Sequence, residues 1–98
     1  MIVFDWDQWN RQKNEEKHGV NAAEAESAFA DPHLLVYPDM LHSAHEKRFG
    51  MLGFSNDNRL LMVGFTRRNG KIRVITARPA SRKERKLYDE KKSQKIWH

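Results

Sequence analysis

The segment from residue 59 to residue 79 constrains the fold most, because an Asn-Gly pair lies there between two runs of apolar and β-branched residues. Asn69 and Gly70 favour a type I′ turn, since both central residues of that turn need a positive φ angle. A two-residue loop also sets the strand register, and the sequence therefore predicts a long antiparallel hairpin. The predicted cross-strand pairs are Arg68 with Lys71, Thr66 with Arg73, and Phe65 with Val74.

The predicted hairpin has two different faces, because side chains alternate across a strand. The first face is apolar and is the better candidate for a core: Leu61, Val63, Phe65, Ile72 and Val74. The second face mixes apolar residues with two arginines and a threonine, as a binding surface would: Leu60, Met62, Thr66, Arg68, Arg73 and Ile75.

The rest of the chain predicts helices and further strands around this hairpin. In chain order the predicted elements are a strand at 2–6, helices at 7–18 and 21–30, strands at 34–37, 46–54, 59–68 and 71–78, and a helix from residue 81. Strands that are grouped together beside segregated helices indicate the α+β class. We expect a mainly antiparallel sheet of about four to five strands, with two N-terminal helices and one C-terminal helix.

Capping residues mark the ends of the predicted helices. Asp7 and Asn21 are predicted N-caps, and Gly19 is a predicted C′ residue because glycine tolerates the left-handed conformation. Ser81 and Glu84 have the spacing of a capping box. The predicted apolar anchors are Trp9 for the first helix, and Leu87 and Ile96 for the last.

The charges of the chain are distributed unevenly. Residues 1–66 contain 6 Lys/Arg and 10 Asp/Glu, whereas residues 67–98 contain 12 Lys/Arg and 3 Asp/Glu. This asymmetry favours a polyanion or an acidic protein as a partner of the C-terminal third, although a solvated basic helix has the same composition. At 98 residues we expect one domain, 1–98, that ends in a basic helix or tail at 81–98.

Several kinds of sequence signal are missing. The sequence shows no apolar run long enough to cross a membrane and no signal-peptide pattern. The lack of cysteine excludes disulfides and thiolate metal sites, and suits a reducing cytoplasm. It also contains no P-loop, no dinucleotide fingerprint and no G-x-S-x-G motif.

Arginines supply the clearest chemical pattern. Arg48, Arg68 and Arg73 fall on adjacent predicted strands, and Arg78 lies at the end of the sheet. Arginine binds phosphate through a fixed fork of donors and stays charged, so such a cluster could hold an RNA backbone and stabilise a pentavalent phosphorane. The alternative is that these arginines are only strand-edge charges and members of cross-strand pairs.

RNA cleavage would also require a base for the ribose 2′-OH and an acid for the leaving oxygen. Glu46 and His18 are the candidates, with Lys17 as an electrostatic helper or acid. A metal site formed by His42, His45 and Glu46 is an alternative, but such loop residues are more often solvated. We therefore predict no metal.

The sequence resembles the BrnT family, ribonuclease toxins of type II toxin–antitoxin modules with a RelE-like fold. The matching pieces are spread over about residues 3–88, and they are specific only together, in this order and spacing. They are Phe4-Asp5-Trp6-Asp7, Asn14, Lys17-His18-Gly19-Val20, Glu24-Ala25, Phe29, Asp31-Pro32, Asp39, His42-Ser43, Glu46, Arg48, Gly53, Arg59, Thr66, Arg68, Ile72-Arg73-Val74-Ile75, Ala77-Arg78, Ala80, Glu84 and Tyr88.

The resemblance implies a cytoplasmic endoribonuclease, similar to an mRNA interferase, that needs neither metal nor cofactor and halts translation. It also implies a complex of two toxins with two BrnA-like antitoxins, whose ribbon-helix-helix part binds operator DNA. The catalytic residues carried over by position are Lys17, His18, Glu46, Arg48, Arg68, Arg73 and Arg78. We add four neighbouring basic residues as predicted RNA contacts: Arg67, Lys71, Arg82 and Lys83.

Two positions depart from the family pattern. Many relatives have a lysine where this chain has Asn10, and Ala22 replaces an aromatic residue that is usual in the second helix. If that lysine contacts RNA, the activity of this chain is reduced. The alternative function is therefore a catalytically inactive, toxin-like interaction module or corepressor subunit. A DNA-binding protein acting alone ranks last, because the chain has no helix-turn-helix or ribbon-helix-helix pattern of its own.

The face assignment generates a paired prediction. Arg73→Ala should reduce activity more than stability, because Arg73 projects from the face opposite Val74. Val74→Asp should unfold the domain, because it buries a charge. Thermal unfolding of both variants and growth after induced expression without antitoxin provide the check. A soluble, folded Val74→Asp protein would show that the face assignment is wrong.

Overall fold

Five strands and three helices make up the fold in a computed structural model, which describes residues 2–41, 43 and 46–96. The strands are β1 (Phe4–Trp6), β2 (Leu35–Pro38), β3 (Arg48–Phe54), β4 (Leu60–Arg68) and β5 (Lys71–Pro79). The helices are α1 (Gln8–His18), α2 (Ala22–Ser27) and α3 (Arg82–Ile96), with a short 3-10 turn at Ala28–Ala30. In the described part of the chain, no helix is long and apolar enough to cross a membrane.

The sheet has the order β1-β5-β4-β3-β2, and only β1 and β5 are parallel. Asn69 and Gly70 have φ angles of 53° and 75°, which confirms the predicted turn. Thr66 opposes Arg73, as the two-residue loop requires. The α+β class and the mainly antiparallel sheet are therefore confirmed.

The first face of the sheet forms the main core, as predicted. Leu61, Val63 and Val74 are fully buried there. Alanines of α2 and of the following turn allow these elements to approach the sheet closely, and the ring of Phe29 packs edge-on against the ring of Phe65 at 5.4 Å between centroids. Burial of apolar side chains of this kind is the main favourable contribution to the free energy of folding of the domain.

The second face is only partly a polar surface, because α3 covers one end of it. Tyr88 packs there against Leu52 and Leu60 in a second, smaller cluster. Tyr88 is 1% exposed and Leu87 is 39% exposed, so the prediction that Leu87 anchors α3 is wrong. The Tyr88 hydroxyl donates a hydrogen bond of 2.6 Å to Asp31. This hydrogen bond is the reason why a tyrosine fits this buried position. The side chain of Ile96 lies outside the described residues.

The first helix begins and ends as predicted but is anchored differently. Asp7 accepts a hydrogen bond from the backbone N–H of Trp9 at 2.8 Å, and Gly19 has a φ angle of 66°. Trp9 itself is 72% exposed, so its predicted role as the anchor is wrong. Asn14 is the buried residue of α1, because the helix lies beside backbone groups of β5 that need a polar partner.

Asn14 contacts an irregularity in the pairing of β4 with β5. The register shifts between Gly64 and Phe65, so that β5 contains one extra residue, a β-bulge. The Asn14 amide donates to the carbonyl of Ile75 at 3.2 Å and accepts from the hydroxyl of Thr76 at 3.5 Å. The bulge therefore keeps its backbone carbonyl satisfied inside the protein.

An ion pair with a buried carboxylate and a partly exposed arginine joins α2 to the turn between β3 and β4. Glu24 is buried and binds Arg59 through two hydrogen bonds, one of them 2.9 Å long from Nε, and it accepts a third of 2.7 Å from Ser55. Arg59 also donates to the carbonyl of Gly19 at 2.9 Å. The pKa of Glu24 is lowered, mainly by the hydrogen bonds from Arg59, so the pair stays ionised.

The contacts of Asn14 generate a stability prediction. Asn14→Ala should lower the free energy of unfolding by about 1–3 kcal/mol, because it leaves the buried Ile75 carbonyl without its donor. Asn10→Ala is the matched control on the same helix, and it should change stability by less than about 0.5 kcal/mol. Urea unfolding measures both values. Equal values for the two variants would show that the bulge does not depend on Asn14.

Candidate active site

Polar side chains form a continuous row across four strands of the sheet. Asp5 pairs with Arg73, Arg73 with Thr66, and Thr66 with Arg48. Directly opposed residues lie about 5 Å apart at their Cβ atoms and project from the same side. We call the surface that this row crosses the arginine face. It consists of Arg48, Arg68, Arg73 and Arg78, with Thr66 buried beneath them and donating to the carbonyl of Lys47 at 2.9 Å.

The bulge in β5 determines that Arg78 belongs to this face. Arg73 and Arg78 are five positions apart, and strict alternation would place them on opposite sides of the sheet. The extra residue reverses the alternation, so that Arg78 opposes Met62 on the second face. Sequence alternation alone therefore would have assigned Arg78 to the core side.

A groove with a volume of about 490 Å³ lies within the arginine face. Two glycines form part of its floor. A Cβ atom at Gly50 would overlap the ring of Tyr37, and one at Gly64 would lie 2.9 Å from the methyl group of Thr76. The other residues that line the groove include Tyr37, Asp39, Arg48, Met62, Ile75, Arg78 and Glu84.

Carboxylates hold three of the arginines in place. Arg68 pairs with Glu46 at 2.7 Å, and Arg78 binds both oxygens of Glu84 at 2.8 and 2.9 Å. Arg73 lies 3.7 Å from Asp5 and 3.5 Å from Asp7. The Arg68 and Arg73 pairs are partly exposed and contribute little stability, so an incoming phosphate can compete for their donors, whereas the bidentate Arg78–Glu84 pair is less exposed and stronger.

Arg48 differs from the other arginines of this face. No ion pair within the described residues involves it. Its side chain is half-buried and lines the groove. Its N–H donors therefore need not be displaced from a carboxylate of the described residues before they bind an anionic ligand.

Two titratable groups have protonation states suited to proton transfer. Partial burial, together with the positive charges of Lys17 and Arg78, lowers the pKa of His18, so the imidazole is neutral at pH 7 and can accept a proton. Hydrogen bonding from Arg68 lowers the pKa of Glu46, which stays ionised. Both groups therefore have the protonation state of a general base.

The structure places the predicted catalytic residues in two groups. His18 and Lys17 lie at the end of α1, electrostatically coupled to Arg78. Glu46 lies at the other end of the sheet, paired with Arg68 near the hairpin turn. Lys71, which pairs with Arg68, and Arg78 are seven positions apart along β5, which corresponds to about 20 Å of strand. The structure therefore does not bring His18 and Glu46 to one phosphate.

The four predicted RNA contacts are all exposed, but they do not share one surface. Lys71 opposes Arg68 next to the arginine face. Arg67 lies on the opposite side of the sheet, in a shallow apolar depression with Ile72. Arg82 and Lys83 lie in the first turn of α3.

Two residues of this region have no role in the sequence prediction. Tyr37 lies in the groove, where burial and the nearby charge of Glu84 raise its pKa, so its hydroxyl stays protonated. Its pairing with Gly50 across β2 and β3 was the signal that could have located it. Asn14 matches the family pattern but has no other role in the sequence prediction.

His42 and His45, named for a possible metal site, lie outside the described residues. Within the part that the structure does describe, no three His, Asp or Glu side chains cluster as metal ligands would.

The fold and this site define a small α+β protein with an arginine-rich face. The sequence pattern of the family described as "Ribonuclease toxin, BrnT, of type II toxin-antitoxin system" matches residues 6–84. The chain belongs to the BrnT family, which confirms the resemblance. It is thus a ribonuclease toxin of a toxin–antitoxin system, and membership implies an antitoxin partner.

A solved structure supports this assignment. The chain is similar to the Brucella abortus ribonuclease toxin BrnT, known from a crystal structure, with a TM-score of 0.64 and 27% sequence identity. The match covers 84% of this chain and 100% of that one. No curated protein matches the chain.

The electrostatics of His18 generate a titration prediction. Its imidazole should titrate below the pKa of a free histidine, and Lys17→Ala should raise that pKa, because the variant removes a neighbouring positive charge. Arg11→Ala removes an equal charge elsewhere on α1 and should leave the titration unchanged. NMR titration, with the His18 signal assigned from its loss in His18→Gln, measures the effect. Equal shifts in both variants would contradict the local coupling.

Proposed function

We propose that this toxin is an endoribonuclease, similar to an mRNA interferase, that binds single-stranded RNA across the arginine face. The observation that carries the proposal is the cross-strand row of Arg73, Thr66 and Arg48 beside the groove that also contains Arg78. Guanidinium forks in this arrangement fit successive phosphate oxygens.

The proposed reaction is transesterification by the substrate's own ribose. The 2′-oxygen attacks the adjacent phosphorus and the bond to the 5′-oxygen breaks, which yields a 2′,3′-cyclic phosphate and a free 5′-OH. The transition state carries additional negative charge on the phosphoryl oxygens. Arg48 and Arg78 would stabilise it, with the charge supplied by guanidinium groups and without a metal ion.

His18 is the group that we propose as the general base at the groove. Its neutral imidazole can accept the 2′-OH proton, and it is near enough to Arg78, which lines the groove, for that charge to lower its pKa. Lys17 is the proposed electrostatic helper or the acid for the departing 5′-oxygen. Glu46 has both of its oxygens engaged by Arg68, at 2.7 and 3.4 Å, and would act mainly by fixing that arginine.

The remaining basic residues would extend the RNA path. Lys71 continues the arginine face beyond Arg68. Arg82 and Lys83 lie at the start of α3, which packs on the same side of the sheet. Arg67 projects from the other side, so it would meet RNA only if the strand wraps around the hairpin end. Such phosphate contacts would supply affinity without base specificity.

We further propose that the toxin acts in the cytoplasm, where cleavage of cellular RNA would halt translation. Its antitoxin would be BrnA-like, with two copies of each protein in the complex, and the ribbon-helix-helix part of the antitoxin would bind the operator DNA. The arginine face supports this scheme, because an acidic antitoxin segment could occupy the same donors as RNA.

Cleavage of a defined RNA tests the proposal. Purified toxin, free of antitoxin and contaminating nuclease, should cut a labelled RNA in the presence of EDTA, with and without ribosomes. A 2′-deoxy nucleotide at the cleaved position should abolish the cut, because the nucleophile is missing. Arg48→Ala should lower kcat/KM by about 100-fold, the usual effect of losing one oxyanion donor.

Lys47→Ala is the matched control, since it removes an exposed charge next to Arg48 and should retain activity. Cleavage that depends on added divalent metal would contradict the metal-free mechanism. Intact RNA, together with normal growth after induced expression without antitoxin, would favour the inactive corepressor subunit.

A further inference from the structure

One flank of α1 exposes a tryptophan together with two lysines. Trp9 is 72% exposed, and Lys13 and Lys17 follow it at intervals of four residues. Residues at this spacing lie on the same side of a helix, over about 12 Å in total. The three side chains line a common surface depression of about 270 Å³. Glu16 also borders it and accepts a hydrogen bond of 3.0 Å from Gln12.

This flank lies on the side of the arginine face. The opposite flank of α1 carries Arg11 and borders Trp6, which belongs to the core on the first face of the sheet. The helix also contacts β5 at several points along its length. Asp7 lies 3.5 Å from Arg73, Asn14 binds the bulge, and the helix ends at His18, whose pKa is lowered in part by the charge of Arg78. Lys17 is therefore the point at which the exposed flank meets the candidate active site.

We propose that the Trp9–Lys13–Lys17 flank is a second RNA-binding site, where the indole stacks on a base and the two lysines contact phosphates of the strand that leaves the groove. This inference rests on the proposed function, because it assumes an RNA substrate. Stacking on an exposed aromatic ring combined with basic side chains is the usual way in which proteins hold single-stranded nucleic acid without sequence preference.

The composition of the flank favours RNA over a protein partner. The flank offers one aromatic ring bordered by two lysines, a glutamine and a glutamate, with a net positive charge, whereas the core of a protein interface is a contiguous apolar patch depleted of lysine. A contiguous apolar depression lies on the other face of the sheet, with Ile2 and Val36. The flank is therefore not the surface expected for the antitoxin, and the effect of the antitoxin on the flank is one of the outcomes tested.

Binding of a non-cleavable RNA tests the proposal separately from catalysis. The probe is a fluorescent single-stranded oligonucleotide in which every 2′-OH is methylated, so that no nucleophile is present. Trp9→Ala should weaken binding about tenfold by fluorescence anisotropy, the size of one stacking contact. Trp9→Phe should retain most of the affinity, because the phenyl ring also stacks.

The lysines are tested by the salt dependence of the same binding. Lys13→Ala should reduce the slope of log K against log salt by about 0.7, the value for one phosphate contact with a single strand. Arg11→Ala is the matched control, because it removes the same charge from the opposite flank of the same helix and should leave the slope unchanged. Equal losses in both variants would indicate only a general effect of net charge and would overturn the proposal.

The outcomes separate this proposal from the proposed function. If the wild-type protein cleaves RNA but Trp9→Ala binds the probe equally well, the flank is not an RNA site although the function stands. If Trp9→Ala weakens the complex with antitoxin and not with RNA, the flank belongs to the protein partner and the proposal fails. If the wild-type protein neither binds the probe nor cleaves RNA, both proposals fail. Circular dichroism of Trp9→Ala should match the wild type, since an exposed side chain is removed.

Discussion

The hydrogen bonds between Asn14 and the bulge in β5 are the contact on which the geometry of the site depends. The Asn14 amide donates a hydrogen bond to the carbonyl of Ile75 and so stabilises the β-bulge, in which β5 has one residue more than β4. That extra residue places Arg78 on the same face as Arg73. The same contact aligns α1 with β5, so that His18 comes close to Arg78. A buried hydrogen bond of ordinary strength thereby decides which charges can act on one substrate.

The arginines of the domain have two different roles, which are distinguished by the burial of their partners. Arg59 binds the buried Glu24, and loss of Arg59 would leave the Glu24 carboxylate without compensation inside the fold. Arg73 and Arg78, on the second face of the sheet, bind carboxylates that stay partly exposed. The long contacts of Arg73 are weak and can be replaced by phosphate at little cost, whereas Arg78 is held more firmly by its two short hydrogen bonds to Glu84. Arg48 has no carboxylate partner of this kind among the described residues, which is why we propose that it contributes most to catalysis.

Much of the fold follows from local sequence signals, and the wrong predictions of the buried helix residues have a common cause. The Asn-Gly turn, the caps of α1 and the apolar face of the hairpin were all predictable, because each depends on residues that are neighbours in sequence. Trp9 and Leu87 were wrongly predicted as anchors, because α1 and α3 are so polar that periodicity does not identify a buried side. The buried residues proved to be Asn14 and Tyr88, which were selected by hydrogen bonds to distant parts of the chain.

By itself, the sequence determined the hairpin register, the α+β class and, through many weak matches in one order, the BrnT family. It also identified the residue types that could bind phosphate. The tertiary structure decided how they are grouped: it separated Glu46 from His18, moved Arg78 to the face of Arg73, and placed Tyr37 in the groove. The reason is physical, because alternation and capping act over a few residues, whereas the bulge is held by a contact between residues 61 positions apart. Only packing of the whole chain brings such residues together.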